Sequence, residues 1–228
     1  LDTGSANNDL ITNDNDGLTI NATLSTQLAS GETLEYSADD GATWSDISSA
    51  VSGTGTKTAI THTDASLTSD ATIQMRVTDS AGNSSTAVEK TITIDTTAPT
   101  IASVTLANGT YKIGDTVALT ITATNNEADL TLSPATFNGQ TLTDITDNGD
   151  GSYSATYTVQ EGDPDLSDGD NATANLAFTD PAGNSGPAFT SVALSGETMD
   201  ATAPTTTLTI DSISDDTGSS NNDFITQD

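Results

Sequence analysis

Short runs in which apolar and polar residues take turns are spread along the whole chain, as in Leu18-Thr19-Ile20-Asn21-Ala22 and Tyr153-Ser154-Ala155-Thr156-Tyr157. Clusters of Gly, Asn, Asp and Ser separate them, and no stretch holds a helical period for long. A period of two bounded by turn residues is the signature of strands with one buried face. The pattern predicts strands at Leu18–Ser25, Thr33–Ser37, Thr56–Thr61, Thr72–Thr78 and Ala87–Ile94 in the first half. In the second half it predicts Thr100–Leu106, Thr116–Thr124, Leu130–Phe137, Tyr153–Gln160, Asn175–Thr179 and Phe189–Leu194. Strands of this length and spacing suit an all-β chain of tandem immunoglobulin-like Greek-key sandwiches, about seven strands each.

Self-comparison divides the chain. Asp2-Thr3-Gly4-Ser5-Ala6-Asn7-Asn8-Asp9-Leu10-Ile11-Thr12-Asn13-Asp14 returns from Asp216 to Asp228 with ten of thirteen positions identical. Asp79-Ser80-Ala81-Gly82-Asn83-Ser84 returns as Asp180-Pro181-Ala182-Gly183-Asn184-Ser185, 101 residues later. Asp95-Thr96-Thr97-Ala98-Pro99-Thr100 returns as Asp200-Ala201-Thr202-Ala203-Pro204-Thr205, 105 residues later. A fixed period reveals modules before any secondary structure is assigned. The chain therefore reads as a module at 1–96, a second of different subtype at 97–202, and the first strand and Asp-rich loop of a third at 203–228.

One asymmetry follows. The C-terminal Asp-Thr-Gly copy is preceded by Thr206–Ile210, a first strand in its own right, whereas the N-terminal copy stands almost at the start of the chain. The first module is thus expected to lack its strand A. An open strand edge invites pairing, and strand exchange through Thr206–Ile213 of another copy is expected to fill it.

Composition narrows the function classes. Lys plus Arg total 4 against 33 Asp plus Glu, a net charge of −29, which repels nucleic acid and anionic membranes. Carboxylates in such excess need dispersal in solvent or bound cations. With no cysteine, disulfides and thiol chemistry are excluded. No apolar run approaches a membrane span, and Leu1 opens in mid-pattern, as in an excised internal segment.

Several stretches together resemble the bacterial immunoglobulin-like repeats of giant, type I-secreted, RTX-type adhesins and biofilm-associated surface proteins. They are the Asp-Thr-Gly-Ser-Xaa-Asn-Asn-Asp-Xaa-Ile-Thr motif, Tyr36-Ser37-Ala38-Asp39-Asp40-Gly41-Ala42-Thr43-Trp44, Val77-Thr78-Asp79-Ser80-Ala81-Gly82-Asn83 and Ile94-Asp95-Thr96-Thr97-Ala98-Pro99. The first module carries the resemblance nearly throughout. The second shares its Asp-Xaa-Gly-Asn-type turn and its junction, but Asn148-Gly149-Asp150-Gly151-Ser152-Tyr153 is similar to another branch of bacterial immunoglobulin-like domains. The resemblance implies calcium at domain junctions, a rod-like array on the bacterial cell surface, and a part in adhesion or biofilm formation. Neighbouring modules of the same chain are the implied partners.

Calcium takes six to eight oxygen ligands, and four groups offer them. In a sandwich the turn between the last two strands lies where the domain begins, near the incoming linker. Asp95 should therefore approach Asp180 and Asn184, joined by Asn126 or Glu127. By the same logic Asp79 and Asn83 serve a junction with an upstream module, and Asp200 one downstream. Asp2, the Gly4 carbonyl, Asn7 and Asp9 form a loop candidate, echoed by Asp216, Asn221 and Asp223. The acidic loop of Asp163, Asp165, Asp168 and Asp170 is the fourth. Asp and Asn also crowd turns for purely local reasons, and no loop has EF-hand spacing, so recurrence at junctions and the net charge carry the metal expectation.

Catalytic readings are weak. Two Asp-Thr-Gly copies bring aspartic proteases to mind, yet polar sequence follows both and no second lobe accompanies the second. His62 alone serves any histidine-dependent triad and reads as a strand-edge residue. Trp44 reads as core, with sugar stacking as its other role. The expectation is a non-enzymatic structural extender; a carbohydrate-binding or accessory module of a secreted enzyme is the alternative.

Overall fold

Alternation along β11 (Thr116–Ala123) and β15 (Ser152–Thr158) drives Val117, Leu119 and Ile121, and Tyr153, Ala155 and Tyr157, into one interior, with the intervening threonines and serines left to the surface. In this computed structural model, which describes residues 3, 6, 9–53 and 58–210, that rule organises two β-sandwiches.

The first sandwich contains β1 (Ile11–Thr12), β2 (Leu18–Thr23), β3 (Thr33–Ser37), β4 (Ser45–Asp46), β5 (Val51–Ser52), β6 (Ala59–Asp64), β7 (Ala71–Thr78) and β8 (Val88–Ile94). One sheet runs β1-β8-β7-β3-β4 and the facing one β2-β6-β5. Among the described residues β2 is paired on one edge only, by β6. Ile11 and Thr12 instead pair in parallel with Thr93 and Ile94 of β8.

The second sandwich contains β9 (Ile101–Leu106), β10 (Gly109–Lys112), β11, β12 (Thr131–Phe137), β13 (Gln140–Thr141), β14 (Thr143–Asp147), β15, β16 (Asn171–Thr179), β17 (Phe189–Ala193) and β18 (Glu197–Asp200). Its sheets are β14-β15-β11-β9 and β13-β12-β16-β17, with β10 pairing β18 in parallel along the side. Here the edge left open on β2 is filled: β9 lies antiparallel to β11 and skips Ala102 in the ladder between Ile101 and Ser103.

Two strands differ from the sequence reading by three residues or more at an end. β6 begins at Ala59 and runs on to Asp64 rather than spanning Thr56–Thr61, of which 56–57 lie outside the described residues. β16 starts four residues early, at Asn171, because small Ala and Thr side chains between Asn171 and Asn175 hide its alternation. Trp44 is not core. It is half-buried at the surface, its indole N–H donating to the Gly41 carbonyl at 2.9 Å and its ring covered by the Arg76 guanidinium at 3.9 Å. His62 sits in mid-strand on β6, its ring 4.7 Å from that of Tyr36.

The two cores are unequal. Twenty-one buried residues cluster in the second sandwich, pinned by the Phe137–Tyr157 and Tyr153–Phe178 ring pairs at 5.2 and 4.6 Å. Eight cluster in the first. Unfolding in urea should therefore show two transitions, the first sandwich yielding earlier. Leu34→Ala, at a site only 2% exposed, should cost the first transition about 2–5 kcal/mol and leave the second where it was, read by circular dichroism.

Candidate functional site: the junction between the sandwiches

The repeated Asp-Xaa-Ala-Gly-Asn sequence folds into the same turn twice. In the first sandwich Asp79 Oδ1 accepts from the Ala81 and Asn83 backbone N–H groups, each at 2.9 Å, and Asp79 Oδ2 accepts from the Asn83 amide at 2.8 Å. In the second, Asp180 Oδ1 accepts from Asn184 N at 2.8 Å and Oδ2 from the Asn184 amide at 2.9 Å. Gly82 and Gly183 take the left-handed conformation between them, at φ +89° and +92°. The aspartate ties the turn through local backbone donors, so each copy forms without outside help.

What differs is what the turn meets. Asn184 Nδ2 also donates to the backbone carbonyl of Asp95 at 2.7 Å, across the joint. The Thr3 hydroxyl lies 2.9 Å from the Ala182 carbonyl and 2.8 Å from Asn13 Oδ1, and donates to one of them at a time. Asp180 and Ala182 are consequently buried, at 2% and 1% exposure, while Asp79 and Ala81 stand in solvent. Gly186 completes the seat: a Cβ there would fall 1.9 Å from the Pro99 carbonyl.

A third segment closes the joint. Thr124 N donates to the Thr100 carbonyl at 2.9 Å and the Thr100 hydroxyl to Thr124 Oγ1 at 2.7 Å. The Thr124–Asn126 turn lies so tightly on Gly151 that a Cβ at 151 would meet Asn126 Cα at 2.1 Å. This brings Glu127 to the linker. Burial there pushes its carboxyl pKa up, and the Asp180 and Asp95 carboxylates push it further. Asp95, Glu127, Asp180 and Asn184, four residues of the expected inter-domain group, are therefore neighbours. Asn126, the other loop residue considered, serves as the bend that delivers Glu127.

The remaining candidates are dispersed. Asp200 shapes its own segment, accepting from Thr202 N at 3.1 Å, as Asp95 accepts from Thr97 N at 2.8 Å. Asp9 is exposed and accepts from Ile11 N at 3.1 Å. Asp2, Asn7, Asp216, Asn221 and Asp223 lie outside the described residues. In the acidic loop each carboxylate has separate donors: Asp165 takes Ala201 N and Thr202 Oγ1, Asp168 takes Gly196 N, Asp170 takes Ser167 N. Asp163 is buried and accepts from Tyr157 Oη and Gln140 Nε2, both at 2.6 Å, and from Gln160 N at 2.8 Å. Among the described residues no group of three or more His, Cys, Asp or Glu side chains is placed to hold a metal ion.

Residues 95–195, from this linker through β17, match the family model described as a bacterial Ig-like domain. The second sandwich has the Ig-like fold and matches that model over most of its length. Among solved structures, the chain is similar to fibronectin(III)-like modules of Clostridium thermocellum CbhA, at 12% identity and a TM-score of 0.41, covering 82% of this chain and 88% of that one. Murine CEACAM1b is similar at 15% identity and 0.38, over 82% and 95%. A Bacteroides ovatus protein, SGBP-B of a mixed-linkage glucan utilization locus, in complex with a heptasaccharide, is similar at 20% and 0.22, over 81% and 42%. These likenesses extend to the fold alone. A comparison with curated proteins finds no match.

Asp163 offers a pH test of the Ig-like domain. Burial raises its pKa, but the Tyr157 hydroxyl, the Gln140 amide and the Gln160 N–H together outweigh that and hold the carboxyl below its ordinary value. With the folded pKa depressed, the stabilisation is complete above about pH 5 and is lost as pH falls through the folded value. Asp163→Asn should remove about 1–3 kcal/mol at neutral pH from the later urea transition, and flatten the part of its acid dependence that this carboxylate supplies.

Proposed function

We propose that the chain is a segment of an extracellular stalk, an extender in which Ig-like sandwiches are added in line, with calcium stiffening the joints of a bacterial surface adhesin. The observation that carries this reading is the Asn184 amide bond to the Asp95 carbonyl, made by a turn that the first sandwich repeats at its own outer pole. A turn of the same build in each sandwich, which in one copy grips the arriving linker, is a device for propagating modules. The family match of the second sandwich supports a bacterial, surface-exposed or secreted setting.

For calcium the support is the chemistry of the donors. Asp95, Glu127 and Asp180 supply carboxylate oxygens only, which suits a hard dication. The raised pKa of Glu127 reflects burial and unneutralised like charge at the joint, and the net charge of −29 repeats the point for the whole chain. A bound dication would offset that repulsion and make the joint resist bending. On the same reading Asp79 with Asn83, and Asp200, would serve joints with further modules. The alternative, a sugar-binding accessory module, needs an aromatic platform, and one face of Trp44 is already covered by Arg76.

Scattering and melting in millimolar calcium and in chelator test this. Calcium is expected to raise the melting temperature by about 2–3 °C when its concentration equals a millimolar dissociation constant, and further at higher concentration, and to narrow the spread of interdomain distances in X-ray scattering. The double variant Glu127→Gln/Asp180→Asn should abolish both responses. Identical curves in calcium and chelator for the parent chain would remove the metal from the reading.

Asn184→Ala tests the joint itself. It should broaden the interdomain distance distribution in calcium and chelator alike, while Asn83→Ala, in the exposed copy of the turn, leaves it unchanged.

A further inference from the structure

We propose that Asn148-Gly149, at the tip of the β14–β15 hairpin, is a self-modification site, at which the Asn148 amide becomes a carboxylate through a succinimide, with Asp147 as base and Ser154 as donor to the amide oxygen. In that step the Gly149 backbone nitrogen attacks Asn148 Cγ. An N–Cγ bond forms, the Cγ–Nδ2 bond breaks, and ammonia leaves with the proton that Gly149 gave up. Water then opens the ring at either carbonyl, leaving aspartate or isoaspartate at 148. Only water is consumed, and nothing is oxidised or reduced.

The groups that this step needs are already assembled. The Gly149 N–H donates to Asp147 Oδ1 at 2.8 Å, within the reach of a general base. That bond, and the one from Asp129 N–H to Oδ2, hold the Asp147 carboxyl below its ordinary value, so it is ionised and able to accept a proton at neutral pH. The Asn148 amide is held at both ends. Its Nδ2 donates to Ser152 Oγ at 3.0 Å, and its Oδ1 accepts from Ser154 Oγ at 3.4 Å, which places a donor at the oxygen where negative charge develops. Asn148 N donates to the Ser152 carbonyl at 3.0 Å and closes the turn. Gly149, at φ +77°, has open space where a Cβ would stand, and both residues are exposed, so water can reach the ring.

Two further Asn-Gly pairs serve as internal controls. Asn138 is 1% exposed, its amide donating to Tyr157 Oη and the Pro164 carbonyl in the interior. Asn108 is exposed, but Gly109 is held in the parallel ladder between β10 and β18 instead of in a turn. The reactive hairpin also stands where the fold has little slack. Gly151 lies against Asn126 with no room for a Cβ, and its carbonyl accepts from Ala123 N at 2.9 Å. An isoaspartate at 148 would add a methylene to the backbone of this same turn, next to the bend that carries Glu127.

Incubation of the whole chain in mildly alkaline buffer, with peptide mapping by mass spectrometry, reads the three sites separately. Asn148 is expected to gain the mass of amide-to-acid exchange first, as a mixture of aspartate and isoaspartate, and Asn138 last. Asn148 should react faster in the folded chain than in urea, where Asp147 and Ser154 no longer surround it. Asp147→Ala should slow it about tenfold or more, and Ser154→Ala by a smaller factor, with Asn108 unchanged in both. Because Asp147 also holds Asp129 N–H, Ser154→Ala and the urea comparison keep the test independent of any loss of folding in Asp147→Ala. An Asn148 that stays intact while Asn108 converts, a rate no faster folded than in urea, or a rate indifferent to both substitutions would overturn the proposal.

Discussion

Everything at the joint depends on one asparagine amide with two obligations. Asn184 spends one N–H on the carboxylate of Asp180, which fixes the turn, and the other on the Asp95 carbonyl, which fixes the linker. The first bond is local and is made again at Asp79 and Asn83. The second exists only where another module arrives. Coupling a self-forming turn to a carbonyl from outside means that the socket is preorganised, so that little ordering cost remains when the linker is seated. Burial of Asp180 and Ala182 follows from that seating, as the exposed Asp79 and Ala81 of the matching turn show by contrast.

Close backbone approach then governs which positions must be glycine. Gly186 admits the Pro99 carbonyl and Gly151 admits the Thr124–Asn126 bend that brings Glu127 to the linker. The result concentrates three carboxylates at a joint of a strongly acidic chain. In the acidic loop of the second sandwich the carboxylates are kept apart, each occupied by backbone or side-chain donors of its own, with Asp163 drawn furthest inward under Tyr157.

Much of this was legible in the residues. Alternation located the long central strands, Leu18–Thr23, Thr33–Ser37 and Ile101–Leu106 among them, because one face of each is packed. It was blind to the short strands at the margins: Thr143–Asp147 is exposed at all five positions, and Gly109–Lys112, paired in parallel with Glu197–Asp200, offers only Tyr111 as a large apolar side chain to the core. The repeated turn and its meeting with Asp95 could be read because a sandwich puts its last hairpin beside its entrance. The Thr3 contact with Ala182 and the seat of Pro99 against Gly186 could not, since both depend on how one sandwich is set on the next. Asp163 looked like a ligand in a solvated loop because its partners, Tyr157 and Gln140, are distant or hidden in strands.

The parallel ladders beside each sandwich bear on how the chain would answer a pull. Once β9 had given way, a pull along the chain would slide β10 past β18, so that the four paired residues from Gly109 to Lys112 resist together instead of opening in succession like a zip. The corresponding ladder of the first sandwich, Ile11 and Thr12 against Thr93 and Ile94, has two. Under such a pull the first sandwich, with the shorter ladder and the smaller core, would yield before the second.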